Sequence, residues 1–92
     1  MSKERILVAD DHDSLRRGIA RALRETGHDV EEAENGNAAI EKLHNGQFDV
    51  VVCDLKMGGS DGLDVLRSAK ALHSPTAVIL MTAFGSVQTA VE

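Results

Sequence analysis

Three short, almost uninterrupted apolar runs stand out along the chain, at residues 6–9, 50–53 and 77–81. Each is too short for a helix and does not alternate with polar residues, which predicts strands buried on both faces of a parallel sheet. A fourth segment, residues 28–34, sets Val30 and Ala33 among acids and reads as a half-exposed edge strand whose charge discourages pairing with other chains. Between these runs the apolar spacing becomes helical: Leu15, Ile19 and Leu23, then Ile40 and Leu43, then Leu63, Leu66 and Ala69. Asp13 or Ser14 is placed to cap the first helix, and Gly27 and Asn45-Gly46 supply left-handed stop positions after the first and second. A further helix is expected to start near Ser86. The order β-α-β-α-β-α-β implies right-handed crossovers and an α/β fold, a parallel sheet covered by helices on both faces.

Composition narrows the function classes. Leu, Ile, Val and Phe make up 24 of the 92 residues, enough for the packed core of one small domain. Ten basic against fifteen acidic residues give a net charge of −5, which leaves no basic patch for a phosphate backbone and argues against direct nucleic-acid binding. Apolar runs of about five residues are far below the ~20 that span a bilayer, so neither a membrane anchor nor a signal peptide is expected. The lone Cys53 fits a reducing, cytoplasmic setting. Residues 1–92 read as a single unit whose last helix has barely begun at Glu92, so the domain is expected to be incomplete at its C-terminus.

The acids carry the chemistry. Asp10 and Asp11 directly follow the first apolar run, Asp54 follows the run at 50–53, and Thr82 follows the run at 77–81. All four therefore fall at carboxyl ends of strands, the edge at which open α/β sheets form their ligand crevice. If the first and third strands are neighbours, about 4.8 Å apart, three carboxylates converge on a volume suited to a hard cation such as Mg²⁺. A carboxylate is also a recognised nucleophile that forms an aspartyl-phosphate, and a nearby hydroxyl can donate to a phosphoryl oxygen. Neither a P-loop nor a GxGxxG motif occurs, and an EF-hand loop beginning at Asp11 would need Gly where Arg16 stands.

The runs ILVADDHDSLRRGI, VVCDLKMGGSDGLDVL and AVILMTAFGS resemble the receiver domain of two-component response regulators, and the ending MTAFGSVQTAVE resembles receivers of the NtrC class. The resemblance implies a flavodoxin-like doubly wound sheet of order 2-1-3-4, with the family's fifth strand absent from this chain. It further implies Asp54 as phosphoacceptor, Asp11 as direct Mg²⁺ ligand, Asp10 as an acid acting through water, and the backbone carbonyl of Lys56 as a further metal ligand. Thr82 matches the switch hydroxyl and Ala83 the small residue beside it. The implied partners are a sensor histidine kinase and an output module, with a homodimer or swapped dimer forming if the strand at 77–81 is left as an open edge. Gly58 stands where the family usually has Pro, which should loosen that loop. The family's Lys and switch aromatic of the fifth strand have no counterpart in these residues.

Two other readings use the same residues. Asp11-His12-Asp13 resembles the DxD motif of haloacid-dehalogenase-like phosphatases, which would place the nucleophile at Asp11; a non-catalytic interaction module would use the acids only as turn formers. Several further residues read as structural. Cys53 is expected in the core, the four histidines on the surface or in caps with His12 the exception to watch because it neighbours the acids, Met57 and Phe84 between helix and sheet, and Arg16, Arg17, Arg21 and Arg24 on a solvated helix face.

Overall fold

A computed structural model describes residues 3–57, 60–72 and 75–81, and the backbone of 87–90. Strands β1 (Arg5–Ala9), β2 (Asp29–Ala33), β3 (Val50–Asp54), β4 (Ala77–Met81) and β5 (Val87–Ala90) form one sheet in the order β2-β1-β3-β4-β5. The first four are parallel, and helices α1 (Asp13–Glu25), α2 (Gly36–Asn45) and α3 (Gly62–Ala71) supply the crossovers.

The core has two unequal layers. Leu7, Ala9, Val51, Cys53, Val78 and Leu80 face α2 and α3, which contribute Ala39, Leu43, Val65 and Ala69. Ile6, Val8 and Val30 face α1 through Ala20, with Ile19 and Leu23 at the margin. Among the four strands whose side chains are described, only β1 is buried along nearly its whole length on both faces. In β3 and β4 the α2/α3 side is buried, while alternate residues on the other side keep partial exposure. One helix cannot cover what two cover, which corrects the expectation of uniform two-sided burial.

The edge strand β2 behaves as its charges suggest. Glu31 is paired with Arg5 at 2.6 Å and Lys42 at 3.2 Å, and the bond from Lys42 together with both nearby cations holds its carboxyl below the ordinary value.

Three local expectations need correction. The residue opening α1 is His12, which makes no side-chain capping bond, so neither Asp13 nor Ser14 performs that task. Gly27 has the expected left-handed backbone (φ +91°), but Gly46 is extended (φ −162°). The residues after Ser86 form a strand rather than a helix: β5 runs antiparallel to β4, with Met81 opposite Val87 and Val78 opposite Ala90. The backbone donors and acceptors on the outer edge of β4 are thereby paired within the chain, so the open edge expected at 77–81 is covered.

Candidate functional site

Parallel pairing of β1 with β3 places Ala9 opposite Cys53, and the acids that follow both residues meet above the sheet. Ligand atoms of Asp10, Asp11, His12 and Asp54 all lie within 4.8 Å of one another. The Asp10 side chain is fully buried and that of Asp54 is 16% exposed, whereas Asp11 opens toward solvent. One Asp10 oxygen, Oδ1, accepts from the His12 backbone N–H at 2.8 Å and lies 3.0 Å from His12 Nδ1. The other, Oδ2, is buried with no hydrogen-bond partner among the described residues. Leaving a buried acceptor unpaired costs about 1–3 kcal/mol, more for a charged group, and a hard cation bound to oxygen ligands removes that cost. The donor set, three carboxylates with one oxygen in want of a partner, therefore fits Mg²⁺.

Although the histidines show no metal-ligand spacing, His12, set apart from the other three by its place beside the acids, joins this cluster. Its ring is exposed but lies 3.1 Å from Asp11 and 4.0 Å from Asp54. The hydrogen bond to Asp10 and the negative charges of Asp11, Asp10 and Asp54 raise its pKa above the usual histidine value. Adjacency to the two acids was the available signal.

Asp54 Oδ1 accepts from the Lys56 backbone N–H at 3.2 Å, while the Lys56 residue is exposed. Behind Asp54 the N-terminus of α3 closes in: Gly62 N–H donates to the Leu55 carbonyl at 2.9 Å, and Asp61 and Asp64 form a reciprocal cap. Thr82, Ala83, Phe84 and Gly58 lie outside the described residues. Met57 is buried in the α2/α3 layer, as a packing role requires.

Arg16 contradicts its assignment to a solvated face. It is buried, donates through Nη1 to the Asp10 carbonyl at 3.0 Å, and pairs with Asp13 at 2.8 Å and Glu32 at 3.1 Å. Desolvation disfavours its charge, but the two carboxylates outweigh that effect and its pKa is raised. Arg17, Arg21 and Arg24 are exposed as expected.

Cys53 points into the core beside the site, and burial first, then the charges of Asp54, Asp10 and Asp61, push its thiol up from 9.0 to about 12. The folded chain should resist iodoacetamide at pH 8 and react fully once denatured, a contrast readable by intact mass. Because the native state holds this proton more tightly than the unfolded chain, the thiol does not affect stability below about 9. From there, stability should fall with rising pH until about 12. Rapid alkylation under native conditions would contradict the placement.

Fold and site together define a class: a flavodoxin-like α/β module with an acidic, cation-ready cluster at the carboxyl edge of its sheet. Residues 6–92 match the family model of the response regulator receiver domain, and the chain belongs to that family. It is 41% identical over 87 residues to the transcriptional regulatory protein ZraR of Escherichia coli K12, covering 95% of this chain and 20% of that protein. It is 39% identical over 88 residues to the regulatory protein AtoC of the same organism, covering 96% and 19%. The chain thus spans about a fifth of the length of these regulators, a likeness consistent with the NtrC-class resemblance.

Among solved structures, the response regulator TrrA of Thermotoga maritima, in complex with Mg²⁺-BeF, superimposes with a TM-score of 0.81 at 36% identity, over 87% of this chain and 70% of that one. A CheY-like receiver domain from Methanospirillum hungatei gives a TM-score of 0.85 at 27% identity, over 92% and 68%. As a receiver domain the chain is a phosphoacceptor switch of two-component signalling, a signalling module rather than a conventional enzyme. Receiver domains bind Mg²⁺ at an acidic pocket and interact with histidine kinases and output domains. No helix among the described residues is long and apolar enough to cross a membrane.

Proposed function

We propose that Asp54 accepts the phosphoryl group, Asp11 is the direct Mg²⁺ ligand, Asp10 acts through water, the Lys56 carbonyl adds a further ligand, and Thr82 is the switch hydroxyl. The observation that carries this reading is the meeting of three carboxylates within 4.8 Å of one another, one of which, Asp10, has a buried oxygen with no hydrogen-bond partner among the described residues. The nucleophile is an Asp54 oxygen; the other, Oδ1, is steadied by the Lys56 N–H. The phosphorus–nitrogen bond of a kinase phosphohistidine breaks as the Asp54 oxygen–phosphorus bond forms. When bound, Mg²⁺ neutralises negative charge on the phosphoryl oxygens. The added dianion then shifts the population of the domain's surface states, which an attached transcriptional output module reads. In this reading the chain promotes its own phosphorylation and dephosphorylation, in the cytoplasm, as the receiver part of a longer regulator. The haloacid-dehalogenase-like alternative loses support because Asp13, its second acid, is paired with Arg16 rather than gathered with the other carboxylates.

Intact-mass measurement and peptide mapping after incubation with a small acyl phosphate and Mg²⁺ test the reading. One labile adduct on Asp54, absent in excess chelator, is expected. An adduct on Asp11, or none under any condition, would overturn it in favour of a phosphatase or a non-catalytic module respectively.

A further inference from the structure

Arg16 is a buried cation that phosphoryl acceptance on Asp54 does not by itself account for. Its guanidinium spans three acceptors: Nη1 reaches the Asp10 carbonyl at 3.0 Å and Asp13 Oδ1 at 2.8 Å, and Nε reaches Glu32 Oε1 at 3.1 Å. Glu32 is itself held from the other side by Arg24 at 3.2 Å. Asp10 is meanwhile tied to β2 through its own N–H, which donates to the Ala33 carbonyl at 3.1 Å. Both main-chain polar groups of the buried acid are therefore fastened, one by the sheet and one by Arg16.

We propose that Arg16 is a positioning residue for the divalent-cation site, fixing the main chain between Asp10 and Asp11 so that both carboxylates converge with Asp54. The inference rests on the reading of these acids as a Mg²⁺ site. The Asp10 carbonyl and the Asp11 amide belong to one rigid peptide plane. Anchoring the oxygen fixes the orientation of that plane, and with it the origin and direction of the Asp11 side chain. Ligand atoms must be held to about 0.5 Å for a metal site to be well formed, a tolerance that rotation of this plane would exceed.

A merely structural role explains the geometry less well. A buried ion pair is weak evidence for stability, and an apolar residue of similar volume often serves as well or better. Only the planar fork of arginine reaches all three acceptors at once; a lysine ammonium is a single point that cannot bridge them.

The test uses Arg16→Met, Arg16→Lys and Glu32→Gln, with Lys42→Met as a control that removes another ion pair, to Glu31, away from the cluster. Mg²⁺ affinity is measured by calorimetry at a temperature where circular dichroism shows each variant folded. Loss of a partner that orients metal ligands typically weakens binding by about tenfold or more, and Arg16→Met is expected to do so. Arg16→Lys and Glu32→Gln should fall between it and the parent, and Lys42→Met should match the parent. The rate of labelling by a small acyl phosphate should drop in Arg16→Met at low Mg²⁺ and recover at saturating Mg²⁺, because the defect lies in holding the ion and not in Asp54.

A folded Arg16→Met that binds Mg²⁺ within about twofold of the parent, well short of that loss, would overturn the inference while leaving the phosphoacceptor reading intact. If Arg16→Met does not fold, parent-like affinity in both Arg16→Lys and Glu32→Gln has the same force. A parent protein that binds no Mg²⁺ overturns both.

Discussion

Replacing Asp54 by Asn should eliminate acyl-phosphate labelling while leaving the fold as stable as before or more so. The amide nitrogen of Asn is no nucleophile for this chemistry, yet its carbonyl oxygen can still accept the Lys56 N–H that Asp54 accepts at 3.2 Å. The substitution also removes one of three carboxylates whose ligand atoms lie within 4.8 Å of one another. Two unit charges about 4 Å apart repel by roughly 4 kcal/mol at an effective dielectric near 20. Partial exposure, salt and the nearby His12 ring reduce that repulsion, so a net gain of up to about 1 kcal/mol is expected, equivalent to a rise in melting temperature of about 4–8 °C. The gain should be largest in low salt with chelator and should shrink or reverse on adding Mg²⁺, because the ion stabilises whichever form binds it more tightly. Such a trade of stability for function is common where like charges are gathered for chemistry. Persistent labelling of the variant, or a loss of more than about 1 kcal/mol in chelator, would contradict the assignment of Asp54.

How much of this was legible in the sequence depends on whether a signal is local. The apolar runs at β1, β3 and β4 mark strands to within a residue, because runs of four or five apolar residues are too short for a helix and suit the inner strands of a parallel sheet, although only β1 is covered along both faces while β3 and β4 are buried chiefly on one. Once those runs are strands, Asp10, Asp11 and Asp54 must lie at one edge, so the acidic cluster follows from topology.

Arg16 departs from the solvated face because the helical spacing of the arginines does not by itself fix which face each one lies on. It sits three, four and seven residues before Ile19, Ala20 and Leu23, squarely on the stripe that packs against the sheet. An arginine on an apolar stripe demands buried acceptors, and Glu32 on the facing strand provides one. At Gly46 residue type alone points to a left-handed stop, but glycine also occupies extended backbone freely, as it does here. The β5 pairing is the least local feature of all. Nothing in residues 87–90 requires a strand; the open edge of β4 supplies the partner, and periodicity within a segment carries no information about that edge.

The remaining prediction sets two glycines in helices against each other. Gly18→Ala should stabilise the chain and Gly62→Ala should destabilise it by about 2–3 kcal/mol, although helix propensity favours alanine at both. At Gly18, on the exposed face of α1, a Cβ would meet nothing within 4 Å. There the substitution removes backbone freedom from the unfolded chain, a gain of about 0.4–1 kcal/mol. At Gly62 the added carbon would sit 2.8 Å from the Asp54 carbonyl oxygen, 2.9 Å from Leu55 Cα and 3.0 Å from Leu80 Cδ2. Two of these are backbone atoms at the end of β3, and the third is a buried core side chain, so no flexible tip can yield. Either α3 backs away, giving up the Gly62 N–H bond to the Leu55 carbonyl and part of the packing of Val65, or the end of β3 shifts and carries Asp54 with it. The steric cost exceeds the propensity gain of about 1 kcal/mol, which decides the sign. Thermal unfolding should show Gly62→Ala melting at least about 8 °C below the parent and Gly18→Ala a few degrees above it. Acyl-phosphate labelling of Gly62→Ala should also be slowed at a temperature where it is fully folded, because the glycine lets helix α3 close against the strand end that presents Asp54, the proposed phosphoacceptor. A Gly62→Ala protein as stable and as readily labelled as the parent would show that this close approach is not required.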